Sequence, residues 1–254
     1  MKNGIIIPVY RHGKACAAVV DALAPLGLPV IIVDDGNDGE TKRTLGAITE
    51  KHPNAVLVTL EKNSGKGGAF AAGMEKAHEL ALTHVLQIDA DGQHDTSRAR
   101  FFFERAAASP RALICGYPEY DDSVPAHRKN GRKFANNWTR AVTWERGIVD
   151  AMCGFRIYPV EPTWRFTHYA RYDRRMGFDV EVLVRLLWRG VPYEFHGVRV
   201  TYPADGVSNF HVVRDNAAIS LVFARLCCGM FLRAPLLAAR KLRGKIGRIK
   251  APAP

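Results

Sequence analysis

The chain has 254 residues, 47% hydrophobic and 24% charged, an ordinary globular balance and long enough to bury a sizeable core. Five cysteines, odd in number and without a C-x-x-C pair, argue against a disulfide framework and for a reduced, cytoplasmic setting. The net charge of +11 calls for an anionic partner, but seven basic residues and no acid fall within 233–254. Much of the excess is therefore a tail, and no nucleic-acid groove is expected.

From the N-terminus, "MKNGIIIPVY" shows no signal-peptide cleavage pattern. Short Val/Ile-rich runs then alternate with helical patterns. Strands are predicted over 4–9, 30–33, 55–60, 84–88 and 112–115, with helices over 14–26, 40–51, 66–82 and 97–107. That alternation implies βαβ units and an α/β fold, a mostly parallel sheet with helices on both faces. A polar stretch over 117–137 leads into a helix over 132–146. "DAMCGFRIYP" (150–159), a helix over 179–189 and an extended "VPYEFHGVRVTYP" follow. One catalytic domain is expected over 1–212, with an amphipathic helix and basic tail over 213–254.

Ligands of such sheets sit beyond the carboxyl ends of the strands, and the polar motifs fall there. "LQIDADGQHD" (86–95) sets Asp89, Asp91 and Asp95 within seven residues. Crowded acids repel unless a cation joins them, and Mg²⁺ binds through one or two carboxylates while keeping positions for phosphate oxygens. The alternative is an acidic turn, with Asp95 or Thr96 capping a helix. In "VDDGNDGET", Asp34 and Asp35 can accept from a base or ribose, or form an Asx-type turn. "NSGKGGA" lacks P-loop spacing and reads as a helix start with Lys66 or backbone amides near phosphate.

Arg128 and Arg132 share a helical face with Lys129 and Lys133 nearby, either for phosphate or as a solvated face. Arg156 stands in an apolar stretch and needs a partner, a salt bridge or a phosphate. Asp179 sits where an N-cap belongs, and Asp179 or Glu181 can double as a general base. The histidines show no zinc spacing.

Together "IIIPVY", "VDDGNDGET", "NSGKGGA", "DADGQHD" and "CGFR" resemble family 2 glycosyltransferases, nearest the dolichol- or polyprenyl-phosphate mannosyltransferase branch, over about residues 4–210. The resemblance implies a nucleotide-sugar-binding, Rossmann-like fold of the GT-A type. It implies inverting transfer from a nucleotide-diphosphate sugar to a lipid-linked phosphate or other lipid, with Mg²⁺ or Mn²⁺. Pro8, Tyr10, Val33 and Asp35 would line the nucleotide. Asp89 and Asp91 would hold the sugar-diphosphate end, with Gln93 joining them on the metal. The sequence departs from the family at Arg11 and His12, at Pro118 where a phosphate-binding arginine falls, and at Asn209 in a loop beginning near Arg199. Arg128, Arg132 or Arg156 would compensate. A phosphate acceptor arrives largely ionised, whereas a hydroxyl acceptor needs a carboxylate base such as Asp179. Two competitors are a nucleotidyltransferase, for which a Gly-rich N-terminal loop is wanting, and a non-catalytic membrane-associated anion binder, whose polyanion the acid loop would repel.

The last apolar stretch, 217–237, is interrupted by Arg225, Arg233 and Pro235. A span would place Arg225 near mid-bilayer at a cost of about 2.5–3.5 kcal/mol. An interfacial helix on the cytoplasmic face is expected instead, with Leu221, Leu226, Met230 and Leu237 toward lipid and the arginines snorkelling to an anionic surface. The alternative is a helix packed on the protein's own core.

Overall fold

In a computed structural model of the chain, residues 1–120, 126–201 and 212–242 are described, without side chains at 126–130 and 212–217. The first half follows the predicted alternation: β1 (Asn3–Val9), α1 (Gly13–Leu23), β2 (Val30–Asp35), α2 (Gly39–Lys51), β3 (Ala55–Leu60), α3 (Lys66–Glu79), β4 (His84–Gln87) and α4 (Ala99–Ala108). The second half runs β5 (Leu113–Tyr120), α5 (Ala126–Thr143), β6 (Arg156–Pro159), α6 (Val160–Tyr169), α7 (Phe178–Trp188), β7 (Tyr193–Val200) and α8 (Val212–Leu242). Seven strands form one sheet in the order β3-β2-β1-β4-β6-β5-β7.

Both sheet faces are covered, which is why the strands read as near-continuous apolar runs. Along β1, Ile6 joins one core with Phe70, Met74, Val85 and Leu183, while Ile5, Ile7 and Val9 join the other with Val20, Ile32 and Phe102. All pairings are parallel except those of β6, which runs antiparallel to β4 and β5. The cause is local. The segment before β6 lies at the carboxyl edge, where Gly154 backs the Asp89 carboxylate. A strand leaving that edge can only run back down the sheet.

Three expectations are corrected. β5 continues to Tyr120, so its end takes up the start of the stretch assigned to a polar loop. Helix α5 begins at Ala126, six residues before the predicted 132. In α8, Leu226 and Leu237 are buried in the protein's own core and Met230 packs against it, not toward lipid. Arg225 pairs with Glu181, and Arg240 donates to the Trp188 carbonyl. The rows of α8 were mis-assigned, because apolar residues occupy both sides of it.

Candidate active site

Beyond β4 the chain leaves the sheet at Ile88, whose N–H still donates to the Ile6 carbonyl at 3.2 Å. Gly92, with φ +74, turns the acid loop through the left-handed region that favours glycine. The loop is then tied to the end of β7. Asp95 N–H donates to the Arg199 carbonyl at 3.1 Å, and Thr201 N–H to the Gln93 carbonyl at 3.0 Å. Asp95 caps the following helical turn through Ser97 N–H at 3.0 Å, so its role is structural, as the capping alternative holds. Asp89 and Asp91 are left facing the edge.

Lys66, at the first position of α3, reaches across to this edge. Its ammonium lies 2.8 Å from Asp89 Oδ1 and 2.7 Å from Asp179 Oδ2, joining β4, α3 and α7 at one point. Burial would push the Asp89 carboxyl up, but Lys66, His94 and Arg132 outweigh it and hold it below the usual range. Asp91 is pushed up, first by burial and then by Asp89. One oxygen of Asp91 accepts Gln93 N–H at 3.0 Å. Gly154 explains the glycine of "CGFR": a Cβ there would overlap the Asp89 carboxylate.

Asp179 is not the N-cap of α7. Gly177 holds that position, and the Asp179 carboxylate points to Lys66, with Gln87 Nε2 at 3.4 Å. Glu181 cannot serve as a base at this edge. It is fully buried, paired with Arg185 at 2.8 Å and with Arg225, and accepts Asp173 N–H at 2.8 Å. Arg156 is also fully buried and lies beneath this edge. It donates to the Asp179 carbonyl at 2.7 Å from beneath, while its Nε and second terminal nitrogen find no partner.

Arg132 departs from the solvated-face alternative. Its guanidinium donates to both Asp150 oxygens at 2.9 and 2.8 Å, and its charge is felt at Asp89. Asp150 in turn accepts the N–H groups of Met152 and Cys153, so the loop before β6 seats the arginine. The side chain of Arg128 lies outside the described residues, as do Asn209 and most of the loop it belongs to. Arg199 is exposed on β7, and its carbonyl anchors the acid loop.

At the nucleotide end, Pro8 and Tyr10 are partly exposed where β1 ends, with the Arg11 guanidinium 4.9 Å from the Tyr10 ring centre. Val33 is fully buried against α3, so only its backbone can border a ligand. Asp35 accepts from Ser64 N–H at 2.6 Å, Gly65 N–H at 3.0 Å and Asn63 Nδ2 at 3.0 Å. It thus shapes the loop entering α3. Burial pushes its carboxyl up, and the Ser64 and Gly65 amides only partly offset this. Asp34 accepts from Asn37 N–H and Nδ2, the Asx-type turn foreseen as an alternative. The N–H groups of Gly67 and Gly68 donate to the Arg174 carbonyl at 2.8 and 3.3 Å. The start of α3 therefore does not offer those amides to phosphate, contrary to expectation.

Among the described residues no three His, Cys, Asp or Glu side chains gather into a metal cluster. Two neighbouring carboxylates with opposed shifts fit a divalent ion held by one or two protein oxygens and completed by a ligand's phosphates. Lys66, Asp150 and Gly154 form the frame of this edge. The sequence points to Lys66 through "NSGKGGA", but to Asp150 and Gly154 only through the glycine of "CGFR".

The Glycosyl transferase family 2 model matches residues 4–167. A dolichyl-phosphate beta-glucosyltransferase of Dictyostelium discoideum is 29% identical over 61% of this chain, and the human one is 27% identical over 70%. The chain spans 49% and 61% of the length of those two relatives. The fold matches glucosyl-3-phosphoglycerate synthase of Mycobacterium tuberculosis, solved with phosphoglyceric acid and also with Mn²⁺ and UDP-glucose. The TM-scores are 0.66 and 0.64, at 15% and 13% identity, over 89% and 90% of this chain and 80% and 78% of that one. The alternating sheet, the acids at its carboxyl edge and the family match over 164 of 254 residues agree, and the chain belongs to glycosyltransferase family 2.

Proposed function

We propose that the protein transfers a sugar, with inversion, from a nucleotide-diphosphate donor to a lipid-linked phosphate of the polyprenyl type. The observation that carries this is the meeting of Asp89, Lys66 and Asp179 beside Asp91 at the carboxyl edge of the sheet. The relatives' names supply the acceptor class, dolichyl phosphate, and that of a Methanococcus voltae relative, 32% identical over 35% of this chain, adds a UDP-sugar. The structural neighbour solved with Mn²⁺ and UDP-glucose supports the donor class.

In the reaction the acceptor oxygen bonds to the anomeric carbon while the bond from that carbon to the diphosphate oxygen breaks, its electron pair leaving with the diphosphate. Asp179 is paired with Lys66 and is poorly placed to take a proton. A phosphate acceptor needs no such base, being largely ionised at neutral pH. Lys66 and Arg132 supply positive charge where negative charge gathers. Asp91, with Asp89 and Gln93 beside it, would hold Mg²⁺ or Mn²⁺, which supplies Lewis-acid neutralisation of the diphosphate. Pro8, Tyr10 and the β2 end border the space for the nucleotide. A lipid acceptor and a basic C-terminal sequence support a reading in which the protein works at an anionic membrane surface, on the cytoplasmic face.

Thermal denaturation with a panel of nucleotide sugars, with and without Mn²⁺, tests the donor half. A ligand at a hundred times its Kd stabilises the native state by about 2.7 kcal/mol. A metal-dependent rise with one nucleotide sugar, lost in Asp91→Asn, is expected. No rise with any member of the panel would sink the proposal.

A further inference from the structure

Nine large apolar side chains stand exposed among the described residues, and seven of them belong to two neighbouring helices. Helix α5 contributes Phe134 and Trp138, 57% and 36% exposed. Helix α8 contributes Leu221, Phe231, Leu232, Leu236 and Leu242, with Leu232 at 83%. The helices lie side by side. Phe134 and Trp138 pack on Phe223 of α8 with ring centroids 6.1 and 5.9 Å apart, and farther along Trp144 Nε1 donates to Met230 Sδ at 3.3 Å. Phe223, Cys227 and Phe231 form one i, i+4 row, so exposed Phe231 continues the side of α8 that meets α5.

Residues Ala218–Leu242 are long and apolar enough to cross a membrane. The three arginines of Ala218–Leu242, however, are engaged by α7. Arg225 pairs with Glu181, Arg233 lies 4.9 Å from the Trp188 ring centre, and Arg240 donates to the Trp188 carbonyl. Val222, Phe223, Leu226 and Leu237 are buried on the body. A helix fixed in this way lies along the protein and offers only its outer row. Lys133, Arg146 and Lys241 stand exposed around the two helices, and Arg243, Lys245, Arg248 and Lys250 follow in sequence without an acid. An apolar stripe flanked by cations fits an anionic bilayer, with apolar groups at the acyl boundary and cations among the headgroups. A second copy of the chain would bring like charges together.

We propose that α5 and α8 together form the face on which the protein lies against an anionic bilayer, inserting Phe134, Trp138, Phe231 and Leu232. The consequence for catalysis rests on the lipid-phosphate acceptor proposed above. Helix α5 also carries Arg132, seated at Asp150 and two residues from Phe134, about 3 Å along the helix axis. The helix that inserts thus carries the cation seated at Asp150, in the loop that meets the acid loop through Cys153 and His94. A lipid phosphate at headgroup depth meets Arg132 on its way to Asp89 and Asp91.

The test is flotation of the full chain with phosphatidylcholine vesicles containing phosphatidylglycerol. Phe134→Ser/Trp138→Ser and Phe231→Glu/Leu232→Glu are compared with the parent. These side chains are exposed, and unchanged thermal denaturation together with unchanged nucleotide-sugar hydrolysis would show that fold and donor site are intact. Each double variant is expected to lose at least tenfold in vesicle partitioning. Unchanged partitioning of both overturns the proposal. So does a parent that is dimeric by light scattering without lipid and becomes monomeric in the variants, which would assign the face to self-association. If the parent floats and the variants do not, the docking face stands even where no nucleotide sugar is hydrolysed, and only the transferase proposal fails.

Discussion

Replacing Lys66 with methionine removes the cation that bridges Asp89 and Asp179 at 2.8 and 2.7 Å. The three side chains are only 22%, 28% and 12% exposed, so water cannot make good the loss. Taking one partner from a buried ion pair costs about 3–5 kcal/mol, chiefly as the penalty of the charge left behind. For a chain of this size that is roughly 6–20 °C in Tm. Urea denaturation in a metal-free buffer reads the cost directly. The penalty lies in the stranded carboxylates. Lys66→Met combined with Asp179→Asn should therefore be more stable than Lys66→Met alone, a coupling that a double-mutant cycle isolates. A Lys66→Met variant within about 1 kcal/mol of the parent, or a double variant that adds the two losses, would refute the bridge.

Arg132→Lys keeps the charge but shortens the side chain that brings one guanidinium nitrogen onto both Asp150 oxygens and loses the other N–H donors, so the acceptor KM should rise about tenfold with donor KM unchanged. Equal changes in both constants would remove it from the acceptor path. Gly154→Ala pushes a Cβ into the Asp89 carboxylate, and displacing that group by about an ångström should lower kcat/KM about a hundredfold while the circular dichroism spectrum is retained. Full activity would contradict the close approach. Glu194 is held below its ordinary value of 4.5: burial raises it, but Ser109, His196 and Arg105 outweigh that. A depressed native value gives stability that is present above pH 4.5 and is lost as pH falls through the lower, native one. The Tm of the parent should drop more steeply than that of Glu194→Gln on acidification below pH 4.5, and parallel curves would show that Glu194 carries none of the acid sensitivity.

The parallel half of the sheet was legible because each strand is a Val/Ile run and each helix begins after a polar strand end. The acid loop was legible for the same reason: its spacing is local. What escaped was set by distant partners. Nothing in "CGFRIYP" announces a strand running backwards, since β6 takes its direction from Gly154 seated against Asp89. Arg156 stands in an apolar stretch and needs a partner, and the sequence could not show that one of its nitrogens finds the Asp179 carbonyl of α7. Helix α8 misled because it is apolar on two sides, and sequence periodicity cannot say which side the body covers. Only the contacts of Phe223 with α5 and of Arg225 with α7 decide it.

Transfer to a lipid phosphate at the Asp89–Asp91 edge leaves its product on the lipid. The most direct measurement incubates the protein and its Asp91→Asn variant with nucleotide sugars, Mn²⁺ and a polyprenyl phosphate in vesicles, and follows the lipid by mass spectrometry. A polyprenyl-phosphate sugar of inverted anomeric configuration is expected from the parent, and none from Asp91→Asn or after chelation of the metal. Equal product from the variant, or a nucleotide sugar that the parent consumes without any sugar reaching the lipid phosphate, would contradict it.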